Sequence, residues 1–203
     1  MGLAALPVPD PAVRDAVAGD AADLERLFSL AREELADRKG AWLWERSDSP
    51  FSDLQDAVRS VLNAPWITVV GSIDNVIVGY LIAEQKQMHA DGDIGVVRGL
   101  YVEEGARDVG VGDALIMYAL DRFKDAGCVG VDSWALPGER DTKNFYEAHG
   151  FSARTIVVHH SFIEPKHVSR TEGLKGTFVR DDSSLSEVDS TSEADATIEA
   201  DAS

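Results

Sequence analysis

Gly99-Leu100-Tyr101-Val102 is followed by a short loop and then by Arg107-Asp108-Val109-Gly110-Val111-Gly112-Asp113, and this stretch decides how the chain is read. The first four residues suit a strand. From Gly110 an apolar pattern of helical period runs to near Gly127. A helix start leaves backbone N–H groups without intrahelical partners and carries partial positive charge. Phosphate oxygens satisfy both. Glycine at 110 and 112 would let a ligand approach the backbone closely, and Arg107 can add a charge-assisted contact. Strand, glycine loop and helix therefore make a pyrophosphate cradle in principle. Gly-x-Gly alone is a weak signal, and an isolated pair reads better as a tight strand-to-helix turn that needs small residues. Two other nucleotide signatures are excluded by the residues. A dinucleotide fingerprint would need glycine at position 115, which is Leu115, and no Gly-Lys-Ser/Thr phosphate loop is present.

Outward from this stretch, the elements order themselves. Trp66–Ile73 and Val76–Gln85 are rich in Val, Ile and Tyr, and Asp74-Asn75 between them predicts a hairpin turn. Ile94–Val102 predicts the next strand. Beyond the glycine-loop helix come a strand over Val129–Ala135, a helix over Arg140–His149 stopped by Gly150, and a last strand over Phe151–His160. Upstream, a proline-rich lead precedes a short strand at Val13–Val17. Asp20 suits an N-cap for a helix over Ala21–Asp37, with Leu24, Leu27, Phe28, Ala31 and Leu35 at helical spacing and Gly40 near its end. A connection over Ala41–Pro50 carries Trp42 and Trp44, and a second helix is expected over Phe51–Leu62. No internal repeat is visible.

Composition narrows the function classes. The chain has 203 residues, 44% of them hydrophobic, which is enough for one domain with a real core. The longest apolar runs, Trp66–Val70 and Val76–Ala83, are strand-sized, well short of the roughly 18–20 residues that span a bilayer. Met1–Asp10 has no basic group and no long apolar region, so it does not read as a signal peptide. With the single cysteine, Cys128, these features predict a cytoplasmic protein without membrane partners. The formal net charge of −17 argues against nucleic acid as a partner, because phosphate binding needs clustered Lys and Arg. Part of that charge sits at the end. Asp181–Ser203 holds eight acidic and no basic residues, in a composition that cannot bury enough apolar surface to fold. The expected organisation is a lead over 1–12, a folded domain over 13–162, a loosely attached extension over 163–180 and an acidic disordered tail over 181–203. The tail either solubilises the chain or docks a basic partner.

The glycine loop and a second segment together resemble the GNAT superfamily of N-acetyltransferases. The family's cofactor motif, Arg/Gln-x-x-Gly-x-Gly/Ala, is matched by Arg107-Asp108-Val109-Gly110-Val111-Gly112. Its later helix ending, Phe-Tyr-x-x-x-Gly-Phe, is matched by Phe145-Tyr146-Glu147-Ala148-His149-Gly150-Phe151. The resemblance covers roughly 13–162, strongly over 99–151 and mostly by element order before that. It implies an α/β fold of the α+β type: a mixed, mostly antiparallel sheet, splayed between its fourth and fifth strands and flanked by about four helices. Acetyl-CoA, as co-substrate, would lie in the splay. Backbone groups of Leu100 and Val102 would pair with the pantetheine arm. Backbone N–H groups of Val109, Gly110, Val111, Gly112 and Asp113, helped by Arg107, would hold the pyrophosphate.

The resemblance further implies direct transfer of an acetyl group to a primary amine through a ternary complex. Tyr146 would be the general acid for the departing thiolate, and the Leu100 N–H the oxyanion donor. Packing with a bonded hydroxyl is the bland role for Tyr146, and Phe145 and Phe151 read as core. Glu139 stands where many relatives carry a cofactor-contacting Asn, so that contact is altered here. The general base is not legible. Val96 occupies the position of a Glu found in some relatives; Asp93, Glu84 and Asp132 are the substitutes, each reading better as surface or strand-end charge, and a water chain to solvent is the other route for the amine proton. Trp42 and Trp44 either line the acceptor pocket or cover the core edge. Cys128 reads as a small buried residue rather than a nucleophile. His89, His149, His159, His160 and His167 lack ligand spacing, so no metal is expected. The acceptor would be a small-molecule or peptide amine, with acidity weakly favouring a cation. Three points stay open: a homodimer, a donor other than acetyl, and a non-catalytic acyl-CoA-binding or regulatory domain on the same fold.

Overall fold

The computed structural model describes residues 10–47, 49, 54–63, 65–89 and 92–162. The expectations for most of the lead, for Phe51–Asp53 at the start of the second helix, for His167, for the extension and for the acidic tail lie outside the described residues. By contact the chain divides into two units, one through Arg154 and one from Thr155.

The first unit carries a five-stranded sheet. Its strands are β1 (Ala12–Asp15), β2 (Ile67–Ile73), β3 (Val76–Gln87), β4 (Asp93–Val102) and β5 (Gly130–Asp132), lying in that order. The first four pair antiparallel, and β5 runs parallel to β4. The helices are α1 (Ala21–Leu35), α2 (Ala41–Ser47), α3 (Leu54–Val61), α4 (Val111–Asp125) and α5 (Arg140–Ala148). The β2–β3 hairpin turns at Asp74-Asn75, whose φ values of 50° and 66° suit a two-residue primed turn.

Successive strand residues face opposite sides, and that alternation builds two cores. On one side Tyr80 and Ile82 of β3 meet Leu24, Leu27 and Phe28 of α1 and Val58 and Val61 of α3. On the other, Leu81 and Ala83 meet Leu115, Ile116, Ala119 and Phe123 of α4. Leu24, Leu27, Leu81 and Leu115 are fully buried, each contributing about 1.5–3 kcal/mol relative to exposure. Helix α4 lies close on the sheet because two strand positions lack a side chain. A Cβ at Gly71 would stand 2.7 Å from Val111 Cγ1, and one at Gly95 would stand 2.7 Å from the Phe123 ring.

Several expectations shift. Asp20 does precede α1, but its carboxylate makes no cap bond to the helix. It instead accepts from Arg14 at 2.7 and 2.8 Å and from the Val17 N–H at 2.8 Å. The connection holding Trp42 and Trp44 is itself a short helix, α2. Only its Ala41 is buried, so no apolar stripe announced it. The strand expected over Val129–Ala135 is reduced to Gly130–Asp132, pairing with Ile94–Val96. Ser133 and Trp134 leave the ladder to line a cavity. The strand expected over Phe151–His160 does not form. Its β-branched residues Ile156, Val157 and Val158 are 82%, 88% and 89% exposed. A strand needs a neighbour's ladder and a face to bury, and among the described residues neither is supplied.

Candidate active site

Past Val96, β4 continues to Val102 with no β5 residue opposite it. Near this opening, β4 is also irregular. Its register against β3 passes from Gly99 to Val97, leaving Arg98 as an extra, bulged residue. The cavity beside the parted strands has a volume of about 900 Å³.

The start of α4 opens on this cavity. Gly110 is the cap residue, with φ 88° and ψ 3°, a left-handed conformation in which a side chain is strained. No side chain caps the helix, and the first helical bond closes from Ala114 N to Gly110 O. The N–H groups of Gly110, Val111, Gly112 and Asp113 therefore have no intrahelical acceptor. Both glycines and Asp113 line the cavity. This end is open to an anion, and the residues fit a phosphate group. The Val111 side chain is buried in the α4 core and Val109 packs against that core, so only their backbones could serve a ligand.

Sequence placed Arg107 on the same anion, and the structure gives it other partners. Its Nε donates to the Val102 carbonyl at 2.8 Å and its Nη2 to Glu34 Oε2 at 2.7 Å. The guanidinium also sits 5.6 Å from the Tyr101 ring centroid. Val102, expected to pair a ligand through its backbone, thus has its carbonyl engaged within the protein. Leu100 lines the cavity opposite Leu81 of β3. Glu139, at the cap of α5, is 3.6 Å from Arg38 Nε of the segment after α1.

Tyr146 reaches the same cavity from α5. Its ring packs between Phe145, centroids 5.5 Å apart, and Phe151, 5.1 Å apart. Burial pushes the phenol above its usual value near 10; a bond with Ser133 partly offsets this and the Glu139 charge adds to it. The hydroxyl is therefore held in its protonated form. Helix α5 is tied to α4 through His149, whose Nε2 lies 3.1 Å from Asp113 and whose Nδ1 lies 2.8 Å from the Phe145 carbonyl oxygen.

The carboxylates considered for a base are engaged elsewhere. Glu84 accepts from Arg98 Nε at 2.7 Å, Asp93 from Gln85 at 2.6 Å and Asp132 from Arg154 Nε at 2.7 Å. None of the three lines the cavity among the described residues; Glu34, Glu45 and Glu139 do. Sequence reading passed over Glu34 because its contacts come from 67 and 73 residues away. Nothing near it in the chain announced them. Trp44 lines the cavity and Trp42 does not. Burial and the Asp93 charge push the Cys128 thiol up, against a nucleophilic role. Among the described residues no cluster of His, Cys, Asp and Glu could hold a metal ion, and no helix is long and apolar enough to cross a membrane.

Residues 24–151, from α1 through the end of the Tyr146 segment, match the Acetyltransferase (GNAT) family. The chain belongs to that family. The mixed sheet, antiparallel except for β4 and β5, is the GNAT fold. No curated protein matches this GNAT chain by sequence. Solved structures resemble it in fold. One is the aminoglycoside acetyltransferase AAC(6')-Iy in complex with a bisubstrate analogue, at 16% identity and TM-score 0.58, covering 74% of this chain and 97% of that one. Another is a transcriptional regulator from Bacillus halodurans, at 22% identity and TM-score 0.58, covering 75% and 99%. A third is a ribosomal-protein-alanine N-acetyltransferase from Brucella melitensis, at 15% identity and TM-score 0.57, covering 74% and 99%.

Proposed function

We propose that this GNAT domain transfers an acetyl group from acetyl-CoA to a primary amine within a ternary complex. The observation that carries the reading is convergence. The uncapped start of α4 and the protonated Tyr146, from motifs more than thirty positions apart in the chain, open on one cavity where β4 and β5 part. Acetyl-CoA would supply the acyl group and a thiol leaving group. The N–H groups from Val109 to Asp113 bind its pyrophosphate, with glycine at 110 and 112 giving close approach. Leu100 and Val102 orient the pantetheine arm along the unpaired edge of β4, through the groups not already bonded internally. The Leu100 N–H faces the developing oxyanion. Tyr146 holds a proton where the thiolate departs. Glu139, already paired with Arg38, shapes the site beside the cofactor in place of an amide contact.

The acceptor enters from the α1 and α2 side. That wall carries Glu34, Glu45 and Trp44 beside Arg32 and Arg38, with Glu45 paired to Arg32 and Glu34 to Arg107, so the preference for a cationic amine rests on steering by the chain's net charge of −17. The domain is expected to work in the cytoplasm, without nucleic acid or membrane partners. The test is thiol release from acetyl-CoA across a panel of polyamines, aminoglycosides and peptide amines. Amine-dependent release that follows saturation kinetics supports the reading. Tight coenzyme binding with no release for any amine would turn it to a non-catalytic acyl-CoA-binding domain. The internal pairing of Arg107 with Glu34 and of Glu139 with Arg38 is the observation favouring that alternative.

A further inference from the structure

Glu34 stands at a junction between the two sides of the cavity. It belongs to the last turn of α1, the helix of the acceptor wall, yet it is bonded to residues of β4 and of the loop before α4. Its Oε1 accepts from the Tyr101 hydroxyl at 2.6 Å and its Oε2 from Arg107 Nη2 at 2.7 Å. Glu34, Tyr101, Arg107, Gly110 and Gly112 all line the one cavity. Arg107 is the cation in the chain segment that leads directly into the uncapped α4 start. Of its five N–H donors, one goes to the Val102 carbonyl and one to Glu34.

We propose that Glu34 is a displaceable counterion for Arg107, and that the pyrophosphate of a CoA-type co-substrate is the anion that displaces it. The inference rests on the cradle reading given above. The physical case is one of competition. A single guanidinium faces two anions, one built in and one arriving. The built-in pair is partly solvated, with 41% of the Arg107 side chain and 40% of the Glu34 side chain exposed. Such a pair is weak enough to exchange. An incoming diphosphate carries more charge and brings the helix-end N–H groups as additional partners. Backbone anchoring through Val102 keeps the guanidinium in the loop while its outer face changes partner. Glu34 is left on its Tyr101 bond, as a negative charge facing the cavity on the acceptor side. Binding of the co-substrate and exposure of that charge are then one event.

The change of partner has a protonic signature. In the free protein burial would push the Glu34 carboxyl up, but bonds from Tyr101 and Arg107 and the nearby Arg38 charge outweigh it, so the group lies below its usual value. These three are the groups that face it. Removing Arg107 from the set raises the carboxyl toward its usual value near 4.5 or beyond. Near pH 5 the complex then binds more proton at this site than the free protein does.

The experiment is calorimetric titration of CoA into the full chain and into Glu34→Gln, at pH 5 and pH 7.5, each in two buffers of different ionisation enthalpy. The account expects Glu34→Gln to bind CoA about three- to tenfold more tightly, because the competing charge is gone. It also expects the net proton change on binding at pH 5 to be shifted toward uptake in the unaltered chain relative to Glu34→Gln; protons released by the coenzyme's own phosphates are common to both. Glu34→Asp, which keeps the charge on a shorter arm, should fall between the two in affinity. Equal or weaker binding by a folded Glu34→Gln overturns the proposal, since it would mean that Glu34 supports Arg107 rather than competing for it. If Glu34→Gln fails to fold, the unaltered chain still decides: a net proton change at pH 5 that shows no shift toward uptake beyond the coenzyme's own contribution overturns it. Absence of CoA binding by the unaltered chain removes the cradle reading first, and this inference with it. Binding without the Glu34 effect removes this inference alone.

Discussion

Tyr146→Phe separates the acid role from the packing role. The substitution keeps the ring, and with it the contacts to Phe145 and Phe151 at 5.5 and 5.1 Å. Only the hydroxyl and its bond with Ser133 are lost. One hydrogen bond is worth about 0.5–1.5 kcal/mol, and each kcal/mol moves Tm by about 2–4 °C in a domain of this size. Tm should therefore fall by no more than about 6 °C. The effect on turnover should be far larger. A positioned acid typically contributes 10²–10⁴ in rate, so kcat should drop at least about a hundredfold. CoA affinity should stay within about twofold, because the coenzyme's anion site is built by α4 and not by the phenol. The pH profile adds a second check. Burial and the Glu139 charge hold the phenol above its usual value near 10, so its proton stays in place through the neutral and mildly basic range. Activity should show no basic decline attributable to Tyr146 below about pH 10. Steady-state thiol release, CoA calorimetry and thermal unfolding on the same two proteins suffice. A Phe variant with unchanged kcat and a slightly lowered Tm would refute the reasoning and leave Tyr146 as packing.

Other perturbations follow from the same geometry. Gly110→Val puts a β-branched residue at φ 88°; CoA affinity should fall more than about tenfold while strain costs roughly 1–2 kcal/mol, measured by titration and urea unfolding. Gly95→Ala places a methyl 2.7 Å from the ring of Phe123, which is 1% exposed; overpacking should cost about 1–3 kcal/mol, and Phe123→Leu in the same chain should restore part of it. Arg14→Ala removes the bonds that do most to hold the Asp20 carboxyl below its usual value near 3.8. A depressed carboxyl stabilises fully above the unfolded value and loses that contribution as pH falls through the folded one. Because the Arg14 side chain is 52% exposed and the pair is screened by solvent, the variant should be less stable by only about 0.5–1 kcal/mol at pH 7, and the gap in urea midpoint should narrow below pH 4.

Much of the fold was legible because its signals are local. The apolar spacing of Leu24, Leu27, Phe28 and Ala31 placed α1 and its buried face. Asp74-Asn75 placed the hairpin, and Gly110 marked the start of α4. What the sequence hid depends on neighbours far along the chain. β5 ends at Asp132 because the chain parts there from β4, which itself runs on to Val102, and no residue of 129–135 encodes that parting. Phe151–His160 has strand chemistry, but strand formation belongs to the pair. At the site, Gly110, Gly112 and Tyr146 line one cavity. The partners of Arg107 and Glu139 did not come from the motif. They are Glu34 and Arg38, from α1 and the turn after it, and only the fold brings them there.

The most direct test is titration of acetyl-CoA into the purified chain, with NADH as comparator. The account predicts saturable micromolar binding of acetyl-CoA, competed by CoA, lost in Gly110→Val and absent for NADH. A chain that binds no acetyl-CoA, or binds it equally well without Gly110, would contradict it.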